Sequence, residues 1–270
     1  MFQFAPLLPL EKELELAGID NISDEDMEEL DSQLDIKINN VVCSFNVKRK
    51  LTLREIAQNG FNVELKKGSG MVTMRLRKPC VTASISGSGQ ITCTGATSED
   101  DAFIAAKRVA RAINQVLMLV HDTPEKIRFI SNYRVVNVLG TCLMPFAIKI
   151  EPFTKKNSDK ASYEPELHPG VTVRFQDLKA TLKVFSTGNI TITAQSVFII
   201  RSAVKRIHLL VKDFARTRNE GDMNAMRTTQ DVKRNRNPNK SARCDAGTTD
   251  ALLEKTSFTS QQDFSPKAIL

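Results

Sequence analysis

The chain is poor in the residues from which enzymes and metalloproteins commonly build their sites. Its 270 residues include no tryptophan, three histidines and five cysteines. The cysteines are odd in number and none has CxxC spacing, which argues against a disulfide framework and a zinc site and favours a reducing compartment. The histidines are dispersed and form no triad. We therefore predict no catalytic residues, no metal, no cofactor and no small-molecule substrate.

A long apolar run is also absent. No stretch approaches the roughly 20 residues that a membrane-spanning helix requires, and residues 1–10 lack the cationic start of a signal peptide. The glycine-rich turns Gly68-Ser69-Gly70 and Gly87-Ser88-Gly89 lack the lysine and the spacing of a phosphate-binding loop. The sequence thus predicts neither a membrane protein nor a nucleotide-binding enzyme.

Charge is distributed unevenly along the chain. Residues 1–36 contain eleven acidic residues and one lysine, so the remainder is more basic than the overall net charge of +7 indicates. A basic body favours a polyanionic partner such as nucleic acid, although ordinary solvated lysines give the same composition. We expect residues 1–36 to be a disordered acidic leader, either a solubilising tail or a DNA mimic that folds back. Residues 215–270, where hydrophobic periodicity stops, are predicted to be a disordered basic and polar tail.

One segment of the chain occurs twice. Eight residues between positions 72 and 94 recur 99 positions later in the same order. They are Val72, Thr73, Arg75, Thr82, Gly89, Ile91, Thr92 and Thr94, matched by Val171, Thr172, Arg174, Thr181, Gly188, Ile190, Thr191 and Thr193. A unit this long exceeds the roughly 20–50 residues of a solenoid repeat. It predicts a pseudo-twofold domain, which suits a nearly symmetric partner such as duplex DNA.

Each copy alternates apolar and polar residues with a period of two, which indicates an antiparallel sheet packed on one face and open on the other. The predicted inward residues are Val72, Met74, Leu76, Ala83, Ile85, Ile91 and Cys93 in the first copy and Val171, Val173, Phe175, Leu182, Val184, Ile190 and Ile192 in the second. An amphipathic helical stripe follows each copy, and Thr52 with Glu55 forms a capping-box pattern before a shorter helix. The sequence therefore predicts an α+β fold with its helices on one side of the sheet.

Three further motifs lie in this part of the chain. They are Leu76-Arg77-Lys78-Pro79, Cys93-Thr94-Gly95-Ala96-Thr97-Ser98-Glu99 and Ser162-Tyr163-Glu164-Pro165-Glu166-Leu167-His168-Pro169-Gly170. Together they resemble the TATA-box-binding protein family, and most closely its TBP-like (TBP-related) factor branch, over roughly residues 38–214. The resemblance implies a pseudo-twofold saddle: a curved antiparallel sheet built from two repeats (residues 37–125 and 126–214), with helices on the convex side and an underside that faces the DNA minor groove.

The resemblance also implies which residues contact DNA. Asn40 and Asn137 hold the places of two asparagines that read the central minor-groove step, where an amide can donate to the acceptors of an A·T pair. Arg75 and Arg174 match arginines that contact the phosphate backbone. The other predicted DNA-binding positions are Thr94, Thr193, His168 and Phe185.

The wedge positions depart from the family pattern. The family inserts four phenylalanines between base steps, and the residues at those places here are Ser69, Ser86, His168 and Phe185. A serine lacks the flat apolar area that offsets a lost base stack, which costs about a few kcal/mol per step. Four other DNA-facing positions also differ: Ser84 and Lys183 replace leucines, and Gln90 and Asn189 replace lysines. We therefore expect DNA binding to be weak or partner-assisted.

Partner surfaces follow the family more closely. Glu164, Glu166 and Leu167 match the residues that the family presents to general transcription factor IIB, and Asn62 and Glu64 match part of the surface for factor IIA. The implied function is that of a nuclear, non-enzymatic factor for RNA polymerase II initiation at promoters without a strong TATA box. A protein-only scaffold that sequesters general factors and represses TATA-dependent transcription is the alternative. A DNA glycosylase with a similar saddle is disfavoured, because no helical catalytic module follows Phe214.

Overall fold

The computed structural model of the protein describes residues 34–66, 68, 70–120 and 130–227. Its strands are β1 (Ile36–Asn46), β2 (Val63–Lys66), β3 (Met71–Leu76), β4 (Val81–Ser86), β5 (Gln90–Ala96), β6 (Ser131–Leu143), β7 (Ala147–Ile148), β8 (Ala161–Ser162), β9 (Val171–Phe175), β10 (Ala180–Val184), β11 (Asn189–Ala194) and β12 (Ala215–Arg216). Its helices are α1 (Leu53–Asn59), α2 (Glu99–Val120), α3 (Ile150–Lys156), α4 (Val197–Lys212) and α5 (220–227). The wedge position Ser69, most of the acidic leader and the tail beyond residue 227 lie outside the described residues.

Ten of the strands form one curved antiparallel sheet whose order is symmetric about its centre. From edge to edge, the first repeat contributes β2-β3-β4-β5-β1 and the second contributes β6-β11-β10-β9-β8. The repeats join where β1 pairs with β6, and Val41 lies opposite Val138 near the middle of that pair. The pseudo-twofold axis therefore passes between these two valines.

The two halves have matching strand registers. Thr82 lies opposite Thr94 in the first repeat, and Thr181 lies opposite Thr193 in the second. Because each pair is related to the other by the 99-residue spacing, the duplication in the sequence is a duplication of structure. The predicted pseudo-twofold arrangement is confirmed.

Each repeat buries its apolar face beneath a long helix. Helix α2 packs on β1 and β5, and helix α4 packs on β6 and β11. Ile113 and Ile207, which lie on the predicted helical stripes, are fully buried, and so are nearly all of the predicted inward strand residues. Burying a side chain of this size stabilises the fold by about 1.5–3 kcal/mol. The predicted α+β class, with one helical face and one open face, is confirmed.

The long helices begin at serine caps, whereas the predicted capping box of α1 is incomplete. The backbone N–H of Asp101 donates to Ser98 Oγ at 3.0 Å, and that of Ile199 donates to Ser196 Oγ at 3.2 Å. Thr52 occupies the N-cap position of α1, but its hydroxyl makes no capping hydrogen bond. The predicted helix is therefore present, but the hydrogen bond expected from Thr52 is not.

The ordered fold continues past Phe214, where the predicted tail begins. Strand β12 pairs with β7 in a separate small sheet, and α5 follows it. The Asp222 carboxylate, only 8% exposed, accepts hydrogen bonds from both terminal guanidinium nitrogens of Arg216 at 2.7 and 2.9 Å, and this contact lowers its pKa. Asp222 and Asn219 also cap the start of α5 reciprocally, each accepting from the other's backbone N–H. Residues 215–227, which apolar periodicity assigns to the tail, are thus held in β12 and α5 by polar contacts.

The turn between β4 and β5 contains two glycines with different constraints. Gly89 has a φ of +85°, and a Cβ there would lie 2.3 Å from the carbonyl oxygen of Arg49, whereas the nearest contact at Gly87 would be 3.5 Å. We expect Gly89→Ala to lower the free energy of unfolding by about 2 kcal/mol or more. The matched variant Gly87→Ala should change it by less than about 0.5 kcal/mol. Denaturant titration measures both values, and equal losses would contradict the constraint at Gly89.

Candidate nucleic-acid interface

The sheet face opposite the helices is lined mainly by hydroxyl and amide side chains. These are Asn40, Thr82, Ser84, Ser86, Thr92 and Thr94 in the first repeat and Asn137, Thr141, Thr172, Thr181, Thr191 and Thr193 in the second. All of them are half-buried or exposed, whereas nearly all of their neighbours along β4, β5, β10 and β11 are buried. The face is therefore open, continuous across both repeats and rich in groups that donate and accept hydrogen bonds.

Asn40 lies at the centre of this open face with its amide orientation fixed. Its Oδ1 accepts a hydrogen bond from the backbone N–H of Gly95 at 2.8 Å, and its Nδ2 lies 3.3 Å from Thr94 Oγ1. Because the oxygen is occupied by a backbone donor, the amide nitrogen is the end that remains available to a ligand. The structure thus brings together Asn40 and Thr94, two predicted DNA-binding residues, as a donor pair suited to minor-groove acceptors.

The matching site in the second repeat is less constrained. Asn137 lies opposite Val42 in the β1–β6 pair, one residue before the central Val138, as Asn40 lies one residue before Val41. In the described part of the chain, the Asn137 side chain has no hydrogen-bond partner, and the Asn40–Thr94 contact has no counterpart between Asn137 and Thr193. The two asparagines are therefore related in position but not in their local contacts.

Two polar contacts of the open face were not predicted from the sequence. Asn39 lies at an irregularity in the β1–β6 register, and its Nδ2 donates to Thr141 Oγ1 at 2.8 Å. Near the other end of β1, Gln90 donates to the hydroxyl of the buried Ser44. Strand alternation alone would have turned Asn39 away from this face, and only the register shift places it there.

The predicted phosphate-contacting arginines differ in their surroundings. Arg75 lies 3.6 Å from Glu64, and both side chains are about two-thirds exposed, so this ion pair contributes at most about 1 kcal/mol. The structure therefore joins a predicted DNA-binding residue to a predicted partner-binding residue. Arg174 is exposed and has no acidic partner among the described residues. Asn62, at the predicted factor IIA surface, has a φ of +55°, and its carbonyl accepts from the backbone N–H of Arg75 at 3.0 Å.

His168 and Phe185 lie together at one end of the open face. Their ring centroids are 5.7 Å apart and their planes are tilted by 46°. Lys183 Nζ lies 3.2 Å from His168 Nε2, and the backbone N–H of Gly170 donates to His168 Nδ1 at 3.0 Å. A backbone N–H can only donate, so Nδ1 accepts the hydrogen bond from Gly170, which holds the imidazole ring in place beside Phe185. The pair thus presents one apolar ring and one polarised ring.

The predicted loop for factor IIB projects into solvent. The backbone N–H groups of Leu167 and His168 both donate to the carbonyl oxygen of Glu164, at 3.0 and 2.9 Å, which closes a tight turn. Leu167 is 79% exposed, and the Glu164 and Glu166 side chains are exposed as well. The loop therefore presents two carboxylates beside an apolar side chain, a combination that suits a basic partner surface with an apolar contact.

Metal-ligating side chains do not gather in groups of three or more within the described ranges. In the same ranges, no helix combines the length and the apolar character needed to cross a membrane.

Burial raises the pKa of the Cys142 thiol to about 11, so this thiol stays protonated near neutral pH.

Fold and open face together define a class of protein: a pseudo-twofold saddle of the TATA-binding-protein type. The family model described as transcription factor TFIID (or TATA-binding protein, TBP) matches residues 35–116 and 132–214. The chain therefore belongs to the TATA-binding protein family, a family of DNA-binding transcription factors, and it is similar to the TBP-like factors within that family.

Individual relatives agree with this assignment. TATA box-binding protein-like 1 of Danio rerio is 47% identical over 187 residues, which are 69% of this chain and 96% of that protein. The protein of the same name from Caenorhabditis elegans is 37% identical over 185 residues, which are 68% of this chain and 36% of that protein. The solved structure of Methanococcus jannaschii TBP has a TM-score of 0.54 and 28% identity, covering 66% of this chain and 99% of that one.

Proposed function

We propose that this chain is a TBP-like initiation factor whose open face lies on the DNA minor groove, with weak or partner-assisted binding. It binds general transcription factors IIA and IIB and supports RNA polymerase II initiation in the nucleus, at promoters without a strong TATA box. One observation carries the proposal: Asn40 and Asn137 occupy equivalent places beside the central Val41–Val138 pair of an uncovered, hydroxyl-lined sheet face.

The chemistry of this face suits the minor groove. Both A·T and T·A pairs present only acceptors there, and the fixed Asn40 amide offers a donor. Thr94 adds a hydroxyl that can donate or accept. Arg75 on β3 and Arg174 on β9 each lie three strands from the central strand of their repeat, where they can contact phosphates without reading sequence.

Weak binding follows from what the face lacks. Ser84 and Ser86 occupy the open side of β4, and the Ser86 hydroxyl is 3.1 Å from that of Ser88. Neither side chain has the apolar area to replace a base stack. A partner that contacts both protein and DNA would supply the missing free energy, which supports a role for factor IIA in loading the protein.

The double variant Asn40→Asp/Asn137→Asp tests this interface. We expect it to weaken DNA binding by about 30-fold or more, because it replaces central donors with carboxylates that face base acceptors, and a good contact is worth about 1–3 kcal/mol. Mobility-shift titration in the presence of factor IIA measures the effect. The variant Asn59→Asp/Asn157→Asp, at the ends of α1 and α3, carries the same charge change and should bind as the wild type does. Equal losses in the two variants would leave the proposed interface without support.

The alternative function is a protein-only scaffold that sequesters general factors and represses TATA-dependent transcription. The serines on the open face and the exposed Leu167 favour it, since the DNA-facing wedges are reduced while the partner loop is retained. Binding to factor IIB without any binding to DNA, even when factor IIA is present, would identify this alternative.

A further inference from the structure

Among the described residues, ring side chains of the open face lie at one end, where Phe185 and His168 meet. Phe185 follows β10 and packs against His168, which precedes β9, and a Cβ at Gly170 would come within 3.0 Å of the Phe185 ring. No open-face position of β3, β4 or β5 holds a ring side chain. In the first repeat, the strand equivalent to β10 is β4, and its last residue is Ser86. The Ser86 hydroxyl lies 3.1 Å from that of Ser88.

Phe185 is held by a braced turn. Its backbone N–H donates to the carbonyl oxygen of Asn189 at 3.0 Å, and the N–H of Gly188 donates to the carbonyl oxygen of Phe185 at 3.0 Å. The Arg218 guanidinium, from the segment beyond β12, donates to the carbonyl oxygen of Thr187 in the same turn at 3.2 Å. A ring on a rigid turn loses little conformational entropy when it enters a base step, so it is preorganised to act as a wedge.

The charged groups of the two repeats also favour DNA contact at the second-repeat end. Arg75 is paired with Glu64, whereas its counterpart Arg174 has no acidic partner among the described residues. Lys183 lies beside His168, and the equivalent position in the first repeat holds Ser84. The second repeat therefore offers the wedge, a lysine beside it and, in Arg174, an arginine without an acidic partner in the described ranges.

We infer that DNA is unstacked at a single base step, at the second-repeat end of the saddle, and that this sets the orientation of the protein on its site. The inference rests on the proposed minor-groove function and specifies the DNA that suits it. Minor-groove proteins that insert apolar wedges, among them the TATA-binding protein, lose stacking free energy at each wedged step. The preferred partner is a duplex with one easily unstacked step, and the first repeat lies flat on paired bases.

The two ends of the open face correspond to separate base steps. Strands β4 and β10 are five strand spacings apart in the sheet order, or roughly 24 Å at about 4.8 Å per spacing. That distance is about seven base-pair steps at about 3.4 Å each. A duplex with one mismatch therefore probes one end of the face. A duplex with two mismatches about seven steps apart probes both ends, and the spacing is varied by one or two steps to find the best match.

The test is a titration of the full-length chain with matched, singly mismatched and doubly mismatched A·T-rich duplexes at about 50 mM salt, where weak electrostatic binding is measurable. A mismatch lowers the unstacking cost, so we expect a single mismatch to raise affinity about tenfold or more. A second mismatch should add only about twofold, the statistical gain from two equivalent orientations. A further tenfold gain would show that both ends unstack DNA and would overturn the inference.

Variants attribute the gain to Phe185. Phe185→Ser should abolish the response to a mismatch, and Phe185→Leu should retain most of it. Ser86→Phe adds a ring at the other end and does not depend on the folding of the Phe185 variants. In this variant, the second mismatch should raise affinity by a further factor of about ten. A mismatch response that survives Phe185→Ser, or equal affinities for all duplexes, would refute the single wedge but leave groove binding intact. Failure to bind any duplex would instead refute the proposed function itself.

Discussion

A variant with phenylalanines at all four wedge positions of the family pattern should bind a TATA duplex at least about 100-fold more tightly than the wild-type chain, without any partner. The substitutions are Ser69→Phe, Ser86→Phe and His168→Phe, beside the resident Phe185. Each added ring supplies apolar area that offsets part of the stacking lost at a base step. Ser86 is the last residue of β4 and His168 lies in the loop before β9, and both are partly exposed, so we expect the fold to tolerate a ring at these two positions.

The control for this gain is Ser88→Phe, which adds the same ring two residues from Ser86, in the exposed hairpin turn. It should leave TATA affinity within about twofold of the wild type, because that turn lies beyond the end of β4. Fluorescence anisotropy with a labelled duplex measures both variants. A restored variant that binds no better than Ser88→Phe would mean that something other than missing wedges limits DNA binding.

Charge reversal on the loop before β9 should give the second largest effect. We expect Glu164→Arg/Glu166→Arg to weaken binding to factor IIB by about 30-fold or more, because like charges at a basic partner surface cost about several kcal/mol. Neither carboxylate has a hydrogen-bond or ion-pair partner in the described ranges, so the melting temperature should not change. Surface-binding kinetics with immobilised factor IIB would follow the loss.

The variant Glu151→Arg/Asp159→Arg provides the matched control in the same repeat. It makes the same change in net charge at exposed sites outside the loop, and its affinity for factor IIB should stay within about threefold of the wild type. Equal losses in the two variants would assign the effect to net charge and remove Glu164 and Glu166 from the proposed partner surface.

The fold was largely predictable because its signals are local and occur twice. Alternation in β3–β5 and β9–β11 sets which side chains are buried, and the 99-residue spacing sets the symmetry. Ordering by polar side-chain contacts, and contacts at strand irregularities, were not predictable. The Asp222–Arg216 ion pair orders α5 without an apolar stripe, and Asn39 reaches the open face only through a register shift.

The candidate site was predictable in composition but not in its pairings. The places of Asn40, Arg75 and Glu64 follow from the family resemblance, but no single-residue match shows that Glu64 pairs with Arg75. The resemblance also does not show that the Gly95 N–H fixes the Asn40 amide, because that contact depends on the register of β1 on β5. Side-chain partners across strands depend on tertiary geometry, which a pattern along one strand does not encode.

The central claim is that this saddle retains the groove-facing asparagines but cannot kink a TATA element unaided. Its most direct test is an anisotropy titration of the wild-type chain on TATA and scrambled duplexes, with and without factor IIA. Without the factor, we expect dissociation constants on the order of 10⁻⁶ M or weaker that differ by less than about threefold between the duplexes, as for nonspecific binding. Factor IIA should tighten binding. Tight, selective binding of the TATA duplex by the chain alone would contradict the claim.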